Sequence, residues 1–171
     1  MEQRKHPRLK NFDYSANGAY FITVCVQNRQ SLLSTVVGRD DPGAPPCVML
    51  TDIGKVVDKY ICSISSSYEC VTVDKYVVMP NHIHLLLTIG VQRRAGSSRP
   101  TDAEENQAAL KKPTVSQIIG AMKRFTNKET GLSLWQASFH DHIIRDEHDY
   151  LSRWQYIDDN PAKWAEDEYY I

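Results

Sequence analysis

The chain has 171 residues, of which 42% are hydrophobic, and its formal net charge is −1. This length suits one domain with one packed core, and no apolar stretch reaches the roughly 18 residues that a membrane span needs. The polar start of the chain has no apolar signal segment, and the four cysteines form no CxxC pair. We therefore expect one cytoplasmic domain over residues 1–171, with reduced thiols and no membrane partner.

The first half of the chain predicts a strand, a helix and a pair of strands. Aromatic and β-branched residues predict a buried strand over 19–27, followed by a loop rich in glycine and proline. Apolar residues at helical spacing predict a helix over 51–64. Two further runs predict strands over 69–79 and 82–89, joined by a Pro-Asn turn into an antiparallel hairpin.

The second half predicts a loop, a helix, a strand and a last helix. Residues 90–112 are rich in Ser, Arg, Gln and Ala, which is typical of a mobile surface loop. An apolar face predicts a helix over 113–130, with Pro113 in its first turn. A fourth strand is predicted over 139–145 and a final helix over 147–160.

The order of these elements indicates the fold. The first six match the ferredoxin-like βαββαβ arrangement, an α+β fold built on an antiparallel sheet. Its first and third strands are central, and its two helices cover one face of the sheet. The other face is then free for a ligand or for the additional C-terminal helix.

Two histidines on the predicted third strand are a candidate metal site. Side chains alternate across a strand, so His82 and His84 share one face while Ile83 lies on the other. Two neighbouring imidazoles can hold one divalent ion if a third ligand comes from elsewhere. The alternative is a pair of half-exposed histidines on a sheet without a metal.

The last helix carries the second candidate feature. Tyr156 and Asn160 are four positions apart, so they share a helix face with Cβ atoms about 6 Å apart. If this helix crosses the open sheet face, Asn160 could supply an oxygen ligand beside Tyr156. The alternative is a packing tyrosine and an asparagine that caps the helix before Pro161.

Together these motifs resemble a known family. The stretches DKYVVMPNHIHLLLT and LWQASFHDHIIRDEHDYLSRWQYIDDNPAKW are similar to those of the single-tyrosine HUH transposases, in particular the REP-associated tyrosine transposase branch. HUH denotes His, a bulky apolar residue and His, which is His82-Ile83-His84 in this chain. The similarity runs from Arg8 to about Trp164 and leaves out the loop over 90–112.

The resemblance implies a function and roles for single residues. It implies hairpin single-stranded DNA as substrate, Tyr156 as nucleophile and a covalent 5′-phosphotyrosine intermediate. It maps the third metal ligand onto Asn160, beside His82 and His84. Such a ligand set fits Mg²⁺ or Mn²⁺, and imidazole favours Mn²⁺. Related enzymes act as a monomer or a homodimer.

Several alternatives remain at this point. The same scaffold could be a non-catalytic module that binds hairpin nucleic acid, or a hydrolase that uses water as nucleophile. His140-Asp141-His142 is a second HxH motif with an acidic centre, and Tyr150 is a second tyrosine on the last helix. Five basic residues are candidate DNA contacts: Arg8, Lys10, Lys123, Arg124 and Arg145.

Overall fold

A four-stranded antiparallel sheet organises the protein. The computed structural model describes residues 13–38, 46–90 and 112–170. In chain order the elements are β1 (Gly18–Cys25), β2 (Ser34–Val37), β3 (Cys47–Leu50), α1 (Asp52–Cys62), α2 (Ile64–Ser67), β4 (Val71–Val78), β5 (His82–Ile89), α3 (Val115–Thr130), β6 (His140–Ile143) and α4 (Glu147–Asp159). The main sheet has the order β4-β5-β1-β6. The α+β, ferredoxin-like architecture expected from the sequence is therefore confirmed.

One face of this sheet is packed against α1 and α3. Alternate residues of β1 and β5, such as Ile22 and Leu85, are fully buried there with Val57 of α1 and Ile118 of α3. Full burial of one such side chain contributes about 1.5–3 kcal/mol. Ile83 belongs to this cluster, so His82 and His84, its neighbours along β5, lie on the opposite face.

The helix α4 covers that opposite face. Ile157 of α4 is buried with Phe21 of β1 and Leu86 of β5, and Tyr150 and Trp154 pack around them. The last helix therefore crosses the sheet on the side away from α1 and α3, the face that the sequence left open for a ligand or for this helix. This placement brings the C-terminal end of α4 over the histidine pair.

Two local features differ from the sequence predictions. The segment predicted as a loop contains β2 and β3, which pair with each other from Ser34↔Leu50 to Val37↔Cys47. Strands of four residues are too short to show a periodic pattern, and here they satisfy one another's backbone groups. Pro113 lies outside α3, because Thr114 caps this helix through a reciprocal capping box with Gln117.

In the part of the chain that the structure describes, every helix is too short or too polar to cross a bilayer.

The first turn of α1 lies tightly against the backbone before β2. A Cβ atom on Gly54 would overlap the carbonyl oxygen of Leu33 and lie 3.0 Å from its carbonyl carbon. Because backbone cannot swing aside as a flexible side chain can, Gly54→Ala is expected to lower the free energy of unfolding by about 3 kcal/mol. Gly120→Ala on α3 is the matched control, since among the described residues no atom beyond its chain neighbours and the backbone of its own helix lies within 4 Å of the added Cβ. Chemical denaturation measures both, and equal stabilities of the two variants would contradict this close packing.

Candidate metal centre and tyrosine

The two histidines of β5 present one nitrogen each to the same point. His82 and His84 are 0% and 1% exposed, and their Nε2 atoms lie 2.9 Å apart. Two nitrogen ligands that are each about 2.1 Å from one ion, at a right angle, lie about 3 Å apart. The observed separation therefore suits two neighbouring ligands of one metal ion.

The other ring nitrogens have partners that favour this orientation. Nδ1 of His82 lies 2.9 Å from Oδ1 of Asn81, whose amide nitrogen donates to the backbone oxygen of Tyr169. Nδ1 of His84 lies 2.9 Å from the hydroxyl oxygen of Thr23 on β1. A metal bound at both Nε2 atoms requires the proton of each ring on Nδ1, where Asn81 and Thr23 offer acceptors.

Both imidazoles are held in the neutral form that binds metals. Burial lowers the pKa of His82 to about 4, against the opposing effect of the Asp167 carboxylate. Burial also lowers the pKa of His84 well below its ordinary value, and the neighbouring His82 and Arg153 act in the same direction. At neutral pH the lone pairs are therefore available to a cation.

Two oxygen donors complete the cluster. Asn160, directly after α4, is 2% exposed, and its Oδ1 is buried without a hydrogen-bond partner among the described residues. Its Nδ2 donates to Oδ2 of Asp167 over 2.9 Å. Ligand atoms of His82, His84 and Asp167 all lie within 4.8 Å of one another. A buried acceptor without a donor is costly, so the residues present fit a divalent cation.

Asp167 is the residue that the sequence analysis did not single out. It follows Asn160 by seven positions, and the chain turns back between them through a short 3₁₀ turn, Trp164–Glu166. The acidic run after the Asn-Pro motif was visible in the sequence. No local periodicity relates that run to the histidines, so its position depends on the tertiary fold.

Tyr156 stands beside the histidine pair. Its ring meets the rings of His84 and Phe21 edge-on, at centroid distances of 5.2 Å and 5.8 Å, and the residue is 37% exposed. Burial raises the pKa of Tyr156 to about 12, with Asp167 and Glu168 acting in the same direction. Its phenolate is therefore scarce at neutral pH unless a cation offsets this effect.

A cavity opens next to this tyrosine. Its volume is about 290 Å³, and it is lined by Tyr156, Asn160, Lys163, Glu166, Asp167 and Glu168. A ligand can reach the Tyr156 side chain through this cavity. Three of its six lining residues are acidic and one is basic, so the site itself repels an anionic ligand when no cation is bound.

The end of the described chain covers the histidines from the other side. Tyr169 is 8% exposed, with its ring 4.6 Å from that of His82 between centroids. Its backbone nitrogen donates to Asp167, and the Arg29 guanidinium lies 5.4 Å from its ring centroid. Trp164 packs on the same side of His82. These contacts explain why Tyr169 is buried although it lies near the end of the chain.

The five basic residues predicted to contact DNA lie away from this site or outside the described residues. Arg8 and Lys10 fall outside them. Lys123 donates to the backbone oxygens of Gln136 and Ser138, and Arg124 follows it on α3, behind the sheet. Arg145 precedes α4, roughly 16 Å along the helix axis from Tyr156. Their contact with DNA stays a prediction.

The competing residues are separated from the histidine pair. His140 and His142 lie on β6, the edge strand beyond β1, and His142 Nε2 lies 2.7 Å from a carboxylate oxygen of Asp149. Tyr150 packs against Trp154 farther along α4. Tyr156 therefore contacts His84, whereas Tyr150 packs in the neighbouring cluster.

Thr23 provides a test of the histidine geometry. Thr23→Val keeps the shape of this buried side chain and removes the hydroxyl 2.9 Å from His84 Nδ1. Because such partners orient a ligating imidazole, we expect the affinity for Mn²⁺ to fall about 10–100-fold. Isothermal titration calorimetry measures this, with Thr72→Val on an exposed position of β4 as control. Unchanged affinity in Thr23→Val would contradict the assigned role.

Comparisons with known proteins extend these observations. No protein-family model matches the chain. An uncharacterized protein of Haemophilus influenzae is 31% identical over 180 residues, which cover 100% of this chain and 95% of that protein. A REP-associated tyrosine transposase, solved bound to a REP hairpin, superposes with a TM-score of 0.59 at 21% identity, over 92% of this chain and 74% of that one. This similarity shows that the two proteins share a fold.

Proposed function

We propose that this chain, which belongs to the same family as the Haemophilus influenzae protein, is a metal-dependent tyrosine transposase that cuts and rejoins single-stranded hairpin DNA. One observation carries the proposal. The Nε2 atoms of His82 and His84 lie 2.9 Å apart, and the ring of Tyr156 packs against His84. Asn160 donates to the carboxylate of Asp167, which has an oxygen within 4.8 Å of the histidine nitrogens. These are the groups that a nucleophilic tyrosine beside a cation requires.

His82, His84 and Asn160 would hold a divalent cation, Mg²⁺ or Mn²⁺, with Asp167 as a further oxygen donor. When bound, this ion polarises the phosphate and offsets the charge that develops on the leaving oxygen. The Tyr156 ring packs edge-on against Phe21 and His84, which keeps this side chain beside the histidine pair. The imidazoles and the amide are neutral ligands, so they do not cancel the charge of the cation.

Tyr156 would carry out the bond exchange. Its oxygen forms a bond to phosphorus as the bond between phosphorus and the 3′ oxygen breaks, and the phenol proton leaves to solvent. The 3′ oxygen takes up a proton and departs as a free 3′-OH, while the 5′ side stays linked to Tyr156. A second 3′-OH can attack this phosphotyrosine and restore a phosphodiester, because the ester bond has been exchanged rather than hydrolysed.

The proposed substrate is hairpin single-stranded DNA. The solved transposase of the same fold was bound to a REP hairpin, and the motifs of this chain resemble that branch. A 290 Å³ cavity beside Tyr156 provides room for the reacting phosphate. The acidic wall of this cavity makes DNA binding dependent on the cation, since the carboxylates repel phosphate in its absence.

A non-catalytic hairpin-binding module is the second candidate function. The burial of both histidines under Tyr169 and Trp164 is the observation that favours it. In such a module the histidine cluster would stabilise the fold, and the same DNA would be bound without being cut.

One experiment separates these functions. The protein is incubated with Mn²⁺ or Mg²⁺ and a single-stranded hairpin oligonucleotide labelled at its 3′ end, on the fragment that would stay linked to Tyr156. The products are resolved on a denaturing gel. A covalent protein–DNA band that depends on the metal supports the transposase. Binding in a mobility-shift assay without any cut product supports the module. Cut DNA without a covalent band would instead indicate water as the nucleophile.

A further inference from the structure

Arg153 is a cation on the site face of α4 that the proposed reaction has not yet used. Arg153 lies three positions before Tyr156 on α4, so the two side chains are neighbours on the helix surface, with Cβ atoms about 5–6 Å apart. Its guanidinium carbon lies 5.3 Å from the centroid of the Phe21 ring. That same ring stacks on His84 at 5.1 Å and meets Tyr156 at 5.8 Å. Phe21 is therefore a shared platform for the metal ligand, the nucleophile and this cation.

One donor of Arg153 has no hydrogen-bond partner among the described residues. Its Nε is buried and makes no hydrogen bond with any described residue. Oδ1 of the nearby Asp149 carboxylate lies 3.5 Å from this Nε. The other carboxylate oxygen, Oδ2, accepts a hydrogen bond from the backbone nitrogen of Arg145 and lies 2.7 Å from His142 Nε2. The carboxylate of Asp149 therefore interacts with several groups and does not engage Arg153 alone. Because the guanidinium of Arg153 is only partly neutralised by this carboxylate, it can still bind an anion.

Other cations around the cavity are already engaged. Lys163 forms an ion pair with Asp159 over 2.9 Å, and Arg29 donates to the backbone oxygen of Glu168 while lying over Tyr169. Arg153 therefore combines proximity to the nucleophile with a buried Nε that makes no hydrogen bond with any described residue.

We propose that Arg153 is a catalytic residue that binds a non-bridging oxygen of the phosphodiester attacked by Tyr156. This inference rests on the proposed function and adds a phosphate contact to it. The planar guanidinium would orient the phosphate for attack and stabilise the negative charge that grows on its oxygens, from the side opposite the carboxylates of the cavity. Its contact with Phe21 fixes the guanidinium before the substrate arrives.

The test compares three variants in single-turnover formation of the covalent adduct with a labelled hairpin oligonucleotide and Mn²⁺. Arg153→Gln is expected to slow adduct formation about 100-fold, and Arg153→Lys is expected to recover part of this loss. Affinity for Mn²⁺ alone should stay the same in both variants, because Arg153 is not a ligand. Lys55→Gln on α1, which packs on the opposite face of the sheet, removes one charge as a control and should match the wild type.

A modified substrate distinguishes contact with the phosphate from support of the fold. With a neutral methylphosphonate at the cut position, wild type and Arg153→Gln should react at similar rates, since the anionic oxygen that Arg153 binds is gone. An undiminished 100-fold difference on that substrate would overturn the direct contact. If wild type forms the adduct and Arg153→Gln forms it equally fast, only the role of Arg153 fails. If wild type forms none, the proposed function fails and this role fails with it.

Discussion

Replacing Tyr156 by phenylalanine is expected to reduce covalent adduct formation by at least about 10⁴-fold, because the attacking oxygen is removed and no neighbouring group replaces it. The ring itself should keep its place, since phenylalanine retains the ring that packs edge-on with His84 and Phe21. Binding of the hairpin oligonucleotide and of Mn²⁺ should therefore stay close to wild type. Quantified denaturing gels and a filter-binding assay measure the two quantities separately.

Tyr150→Phe is the matched control for this prediction. Tyr150 lies on the same helix and is also partly buried, but it packs with Trp154 in the neighbouring cluster. Its variant should form the adduct at the wild-type rate. If Tyr150→Phe lost the adduct and Tyr156→Phe still formed it, Tyr150 would be the nucleophile and the assignment of Tyr156 would be refuted.

The second large effect is expected from the histidine pair. His82→Ala and His84→Ala each remove one of two nitrogens that lie 2.9 Å apart, so each should abolish Mn²⁺ binding in the micromolar range. Adduct formation should fall by about 10³-fold, which corresponds to the several kcal/mol of charge stabilisation that a catalytic cation supplies. Calorimetry with Mn²⁺ and the gel assay measure these effects.

His148→Ala serves as the control for the histidine variants. His148 is an exposed histidine on α4, and its removal should change neither Mn²⁺ affinity nor the adduct rate. Because His82 and His84 are buried, thermal unfolding of each variant is needed as well. A folded His84→Ala protein that still bound Mn²⁺ with wild-type affinity would show that the metal site lies elsewhere.

Much of the fold followed from local patterns in the sequence. Alternation along β5 placed Ile83 in the core and the two histidines on the other face, and β5 has the predicted bounds His82–Ile89. Helical spacing tied Tyr156 to Asn160, and the element order indicated the face that the last helix covers. These features depend on residues a few positions apart, which is the range over which periodicity carries information.

The features that the sequence did not reveal depend on contacts between distant residues. Asn81 binds the backbone of Tyr169, 88 positions later, and Arg29 binds that of Glu168, 139 positions later. These bonds place Asp167 and Tyr169 against the histidines, although the acidic and aromatic end of the chain has no periodic pattern. The hairpin of β2 and β3 was missed because its strands have only four residues each.

Arg153 shows the same limit within one helix. The sequence places it three residues before Tyr156, but α4 carries other charged residues at similar spacings. What distinguishes Arg153 is its position over Phe21, a residue of β1 that is 132 positions earlier in the chain. Only the packing of α4 on the sheet reveals that the two groups meet beside His84.

The most direct test of the central claim is to identify the amino acid that becomes linked to DNA. The wild-type protein is reacted with a hairpin oligonucleotide and Mn²⁺, the adduct is digested with nuclease and protease, and the modified peptide is sequenced by mass spectrometry. The structure predicts a nucleotide attached through a 5′-phosphate to the oxygen of Tyr156. Attachment to any other residue, or cut DNA with no modified peptide, would contradict the proposed mechanism.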